Sequence, residues 1–137
     1  MSAHRSATTR KIVFALALGL LGTFAWAAGS DWRAPPSAAN RPNPVPVNVN
    51  TIELGKKLYV ANCFTCHGPE GKGDGPGAAA LEKKPANLGE RIKSTGEKDG
   101  ELFWKISEGR APMVTWKASL SETQRWELVN YIRTFVK

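Results

Sequence analysis

The sequence is poor in the residues that most often build catalytic and metal centres. It has two histidines, His4 and His67, and two cysteines, Cys63 and Cys66, in 137 residues. So few imidazoles exclude most multi-histidine metal sites, and a lone cysteine pair is no disulfide scaffold. No alternation of apolar and polar residues runs long enough for a strand, and no segment repeats; the expectation is an all-α domain. A basic stripe is also missing. Nineteen Lys plus Arg face 12 Asp plus Glu, but Arg5, Arg10 and Lys11 sit in the first eleven residues, and without them the excess is +4. That is too small and too scattered for nucleic acid, and suits weak attraction to an acidic protein. Apolar (42%) and charged (23%) residues are present in ordinary amounts, which excludes a wholly disordered chain.

The N-terminus has the pattern of an export signal. A basic start precedes residues 12–26, IVFALALGLLGTFAW, fifteen residues without charge. Ala25-Trp26-Ala27 follows the small-x-small cleavage rule, so residues 1–27 read as a signal peptide. The uncharged run can also be extended to Ser30, nineteen residues, and then reads as an uncleaved membrane anchor. No cysteine stands at the junction for a lipid anchor. In either case the remainder is exported, to the bacterial periplasm.

Residues 28–50 carry five of the nine prolines and read as an extended, partly polyproline-II linker, either a disordered tail or a segment packed on the domain. Residues 51–137 form the compact domain, small enough that a bound cofactor would supply missing apolar volume. Its first helix is expected to be capped by Asn50 with Glu53, and to carry Gly55, Leu58 and Tyr59 at helical spacing. Gly55 inside that helix suggests close approach of another element. Residues 68–100 are rich in glycine and read as loop, with a short helix at 78–84 stopped by Pro85. Residues 99–109 give a further helix. The last helix is the clearest, with Ser121 and Gln124 as a capping box and Trp126, Leu128, Val129 and Ile132 on its apolar face.

The chemistry concentrates at Cys63-Phe64-Thr65-Cys66-His67. CxxCH is the attachment pattern of c-type haem: two thiols three residues apart each add to a vinyl group, and the adjacent histidine reaches iron. A thioredoxin-type dithiol would need a strand before the motif and a helix after it, whereas here a helix comes before it and a glycine-rich loop after. Structural zinc wants four ligands and finds three. A structural disulfide would close too short a loop to constrain the chain. Apart from Met1, Met113 is the only methionine, and no histidine follows His67. Met113 is therefore either core filler or, as the one soft donor, the second iron ligand.

Three blocks carry a family resemblance: GKKLYVANCFTCHG (55–68), GKGDGPGAAALEKKPANL (71–88) and ELFWKISEGRAPMVTWKASLSETQRWELVNYIRTF (101–135). Together they resemble the class I cytochromes c, small all-α proteins wrapped round one covalently bound haem c. The resemblance implies that Gly55 and Tyr59 cross the last helix near Leu128 and Tyr131. It implies that the carbonyl of Pro76 accepts the Nδ1–H of His67, and that Trp116 packs near the haem propionates. Where many relatives have proline after the axial methionine, this chain has Val114, and a less rigid loop.

Two protein ligands on iron leave no open site, so the expected function is one-electron transfer rather than catalysis, a periplasmic carrier serving donor and acceptor proteins. Lys72, Lys83, Lys84, Lys105, Arg110 and Lys117 are candidates for steering an acidic partner. The other readings are a tethered or docked subunit of a larger oxidoreductase or respiratory complex, and a haem ligand sensor or peroxidase. The membrane is a partner only if the N-terminal segment stays uncleaved.

Overall fold

A computed structural model describes residues 32–137. The signal or anchor expected at 1–27 lies outside the described residues. The described chain is helical: α1 (Pro36–Ala39), α2 (Val49–Asn62), α3 (Phe64–His67), a 3-10 turn (Ala78–Ala80), α4 (Leu88–Thr95), α5 (Asp99–Glu108) and α6 (Glu122–Arg133). The one β-type pairing among the described residues is an isolated bridge between Arg110 and Met113.

The helix starts follow local capping chemistry. At α6, Ser121 and Gln124 form the reciprocal box expected of them. At α2 the cap is Asn48 rather than Asn50, and Thr51 rather than Glu53 completes the box. The Thr51 hydroxyl also donates to the Pro46 carbonyl at 2.7 Å, which ties the helix start to the preceding segment. Such a cap contributes about 1 kcal/mol. The short helix expected at 78–84 is only one 3-10 turn, whereas α4 forms inside the stretch read as loop. Asn87 caps its start and Gly96, at φ 65°, ends it in the left-handed region.

The α2–α6 crossing organises the core. Tyr59, Trp126, Leu128 and Val129 are almost fully buried there, with Ile92, Leu102, Phe103, Ile106 and Ile132 around them. Gly55 lies at the contact: a Cβ there would collide with the Glu127 carbonyl. The Tyr59 ring meets Tyr131 and Phe135 edge-on, each at 5.3 Å. Phe103 of α5 stacks on Trp126 at 3.9 Å, worth about 0.5–1.5 kcal/mol beyond its buried area.

Residues 32–48 pack as a strap across α5 and α6, and within the stretch expected to be extended they make the single turn of α1. Pro36 enters that turn at a position where its missing N–H costs nothing. Asn43 donates to the Asn130 side chain at 2.8 Å, and Asn130 donates in turn to the Val45 and Pro46 carbonyls. The Arg41 guanidinium lies over Phe103 and Trp126 and pairs with Glu122. Polar contacts hold the strap down together with the apolar Ala34 and Val45.

Candidate functional site

The CxxCH segment is a helical turn that leaves α2 at Cys63 and ends at Gly68. The amides of Cys66 and His67 both donate to the Cys63 carbonyl, at 3.2 and 2.9 Å. Three residues apart on one turn, Cys63 and Cys66 share a side. Both are free thiols and half-buried. Burial first, and then the neighbouring Cys66, pushes the Cys63 thiol up to about 12. A thiol that stays protonated at neutral pH is the opposite of the activated thiolate in a dithiol redox motif.

The glycine-rich loop after the motif folds back on this turn. The amides of Gly73, Gly75 and Gly77 donate to the carbonyls of His67, Cys66 and Thr65, at 2.9, 3.3 and 2.8 Å. A Cβ on Gly75 would strike the Phe64 and Thr65 carbonyls. From the other side, the buried Tyr59 hydroxyl donates to the Gly68 carbonyl at 2.8 Å. Burial pushes that phenol up, so it remains a donor. This contact escaped the sequence reading, although Tyr59 sits one helical turn before Cys63 and faces the same way.

Burial pushes His67 down, which favours the neutral imidazole that ligates metal. Its Nδ1 is buried without a hydrogen-bond partner. The expected bond from Nδ1 to the Pro76 carbonyl is therefore not formed. Pro76 is exposed, and the loop meets the turn through the N–H groups of the glycines around it.

Met113 lies on a separate loop that leaves α5 at Gly109 (φ 64°). Arg110 and Met113 exchange two backbone hydrogen bonds, at 3.0 and 2.9 Å. The base of the loop is stitched to the end of α5: Trp116 and Lys117 amides donate to the Ile106 and Ser107 carbonyls, both at 3.2 Å. The Thr115 hydroxyl adds a bond to Ser107 at 2.6 Å. Met113 and Trp116 are half-buried, while Ala111, Pro112 and Val114 are exposed. The structure thus gathers Cys63, Cys66 and His67 on one turn and carries Met113 and Trp116 on another segment.

These donors fit a covalent haem better than a bare ion. Among the described residues no three His, Cys, Asp or Glu side chains group to hold a metal, so the motif does not converge on zinc. Two cysteine thiols on one turn, beside an imidazole that burial biases towards its neutral form, suit the covalent attachment of haem c.

The candidate steering cations are not alike in their surroundings. Lys105 is buried: its ammonium lies 2.6 Å from Glu97 and 2.9 Å from Glu101. Glu97, also buried, binds Arg91 at 2.7 Å as well. A lysine takes such a place only when carboxylates replace its water. Lys72 and Lys117 pair with Glu70 and Glu108 at the surface. Lys83 and Lys84 are exposed.

A family model described as cytochrome c matches residues 52–135. The chain is 32% identical over 81 residues to the cbb3-type cytochrome c oxidase subunit FixP of Bradyrhizobium diazoefficiens; the match covers 58% of this chain and 26% of that relative's length. Among solved structures, it resembles a chain of the Kuenenia stuttgartiensis reducing HAO-like protein complex, with a TM-score of 0.60 and 30% identity, over 69% of this chain and 47% of the other. It also resembles the KustC0563 c-type cytochrome, with a TM-score of 0.52 and 28% identity, over 61% and 98% of the two chains.

Proposed function

This chain belongs to the cytochrome c family and has its all-α, haem c-binding fold, and from that premise we propose that it is an exported one-electron carrier whose iron is held by His67 and Met113. Cys63 and Cys66 are its thioether anchors. The observation that carries the reading is the CxxCH turn itself, with two free thiols beside a half-buried imidazole whose burial favours the neutral form. Held by these residues, a haem c would supply one-electron chemistry between ferrous and ferric iron.

The chain's own part is to hold. The glycine loop and Tyr59 fix the carbonyls of the CxxCH turn, which sets where the imidazole stands. The stitched loop presents the Met113 sulfur. Trp116 packs against the core at the base of that loop. With His67 and Met113 both bound to iron, no position would be left for a substrate. Carbon monoxide added to the reduced protein should leave its spectrum unchanged over minutes; rapid binding would mean an open iron and turn the reading towards ligand sensing or peroxidase chemistry.

The exported, periplasmic location rests on the N-terminal sequence pattern. Among the described residues no helix is long and apolar enough to cross a membrane. Donor and acceptor are redox proteins, met in part through the exposed Lys83 and Lys84, so their reaction should slow as salt rises.

A second reading is a subunit docked in a larger complex. It is favoured by the packed strap, in which the chain from residue 32 onwards lies against α5 and α6. Both FixP and the Kuenenia protein are components of larger assemblies by name. N-terminal sequencing of the mature protein separates the two: a start at Ala28 supports the free carrier, and a retained residue 12–30 segment supports a tethered subunit.

A further inference from the structure

We infer that Trp32 is a positioning residue for the loop that carries Met113, bracing the iron–sulfur side of the site from outside the family domain. The inference rests on Met113 being an iron ligand. Trp32 stands 20 residues before the family match begins. Its ring is half-buried and reaches both sides of the Gly109 hinge. On the α5 side it faces Trp104 at 6.3 Å and the Lys105 ammonium at 5.6 Å. On the loop side the Arg110 guanidinium lies 5.5 Å from the ring centroid. Arg110 is in turn locked to Met113 by the two backbone hydrogen bonds of the bridge. A force on Arg110 is thereby passed to the residue that bears the sulfur.

A brace needs a fixed base, and the strap provides one. Ala34 is buried. The turn of α1 lies so close on α5 that a Cβ on Gly100 would strike the Ala38 and Ala39 carbonyls. Lys98 holds the Asn40 side chain at 2.7 Å, and Asn43 is tied to Asn130. The Met113 loop is stitched to the end of α5 at its base, and its residues Ala111, Pro112 and Val114 are exposed. Any tilt of Arg110 away from Trp32 raises the population in which sulfur has left iron, and a competing ligand then binds more tightly in proportion.

The test uses the ferric holoprotein and imidazole as the competing ligand, followed by loss of the weak near-infrared band that sulfur ligation produces. Trp32→Ala should raise the apparent imidazole affinity about two- to five-fold, the range of an exposed cation–π contact. Trp32→Phe, which keeps a ring face, should stay close to wild type. Asn43→Ala loosens the strap at its other end and should leave the affinity unchanged, although thermal unfolding falls. If Trp32→Ala accumulates poorly, Trp32→Leu keeps apolar bulk without a ring face and should show the same rise. Wild-type affinity in the Trp32 variants, with the sulfur band intact, overturns the brace alone. An equal rise in Asn43→Ala also overturns it, because the effect is then general loosening. A wild-type protein without the sulfur band overturns the Met113 assignment and the brace with it.

Discussion

The two segments that bear the iron-ligand candidates are built on different principles. The His67 turn is gripped on every side: α2 feeds it, Tyr59 holds Gly68, and three glycine amides pin the carbonyls of Thr65, Cys66 and His67. The Met113 loop is pinned at its base and braced at Arg110, with its tip exposed. One ligand is therefore placed by backbone packing that cannot shift without unfolding. The other is placed by a few contacts that can yield singly. Chemistry at the site should be tuned, or lost, through the methionine side first.

Substitutions of two glycines probe this contrast most strongly. Gly75→Ala drives a methyl into the Phe64 and Thr65 carbonyls. Backbone stands on both sides of the contact and cannot give, so the expected cost is about 3 kcal/mol by urea denaturation, with a fall in haem bound per chain. Gly109→Ala also meets backbone, at Val114 and Thr115, and carries the left-handed penalty. Here the loop can move instead, so the expected cost is only about 1–2 kcal/mol, while the sulfur band weakens. Equal losses of stability in the two variants would erase the distinction. The smallest effect is expected at Lys117, whose ammonium pairs with Glu108 at 3.1 Å on an exposed surface. Lys117→Ala should change stability by less than about 0.5 kcal/mol and leave the band alone, since its amide, not its side chain, stitches the loop.

The sequence was most readable where one residue type has one use. CxxCH has few physical interpretations, Gly55 inside a helix pointed to a close approach that the resemblance assigned to the last helix, and the Ser121 box stands as read. It was least readable where polar residues carry structure. Asn48 and Asn50 are equally good caps on paper, and only Thr51, within reach of the Pro46 carbonyl, decides between them. The Asn87 and Gly96 signals that bound α4 were masked by the glycines before it. Nothing in a proline-rich stretch announces that Asn43 will meet a buried Asn130, or that Trp32 will reach Lys105 and Arg110. Lysines are taken as surface residues by default, so the burial of Lys105 between Glu97 and Glu101 needed three dimensions. The Pro76–His67 hydrogen bond came from resemblance alone, and the local backbone does not make it.

The assignment of Met113 is the point on which the electron-transfer reading turns. The most direct measurement is the near-infrared absorption of the ferric holoprotein beside its Met113→Ala variant. The account predicts a weak sulfur-to-iron band in the wild type, absent in the variant, whose reduced form then binds carbon monoxide. No band in the wild type, or a band that survives Met113→Ala, would contradict it.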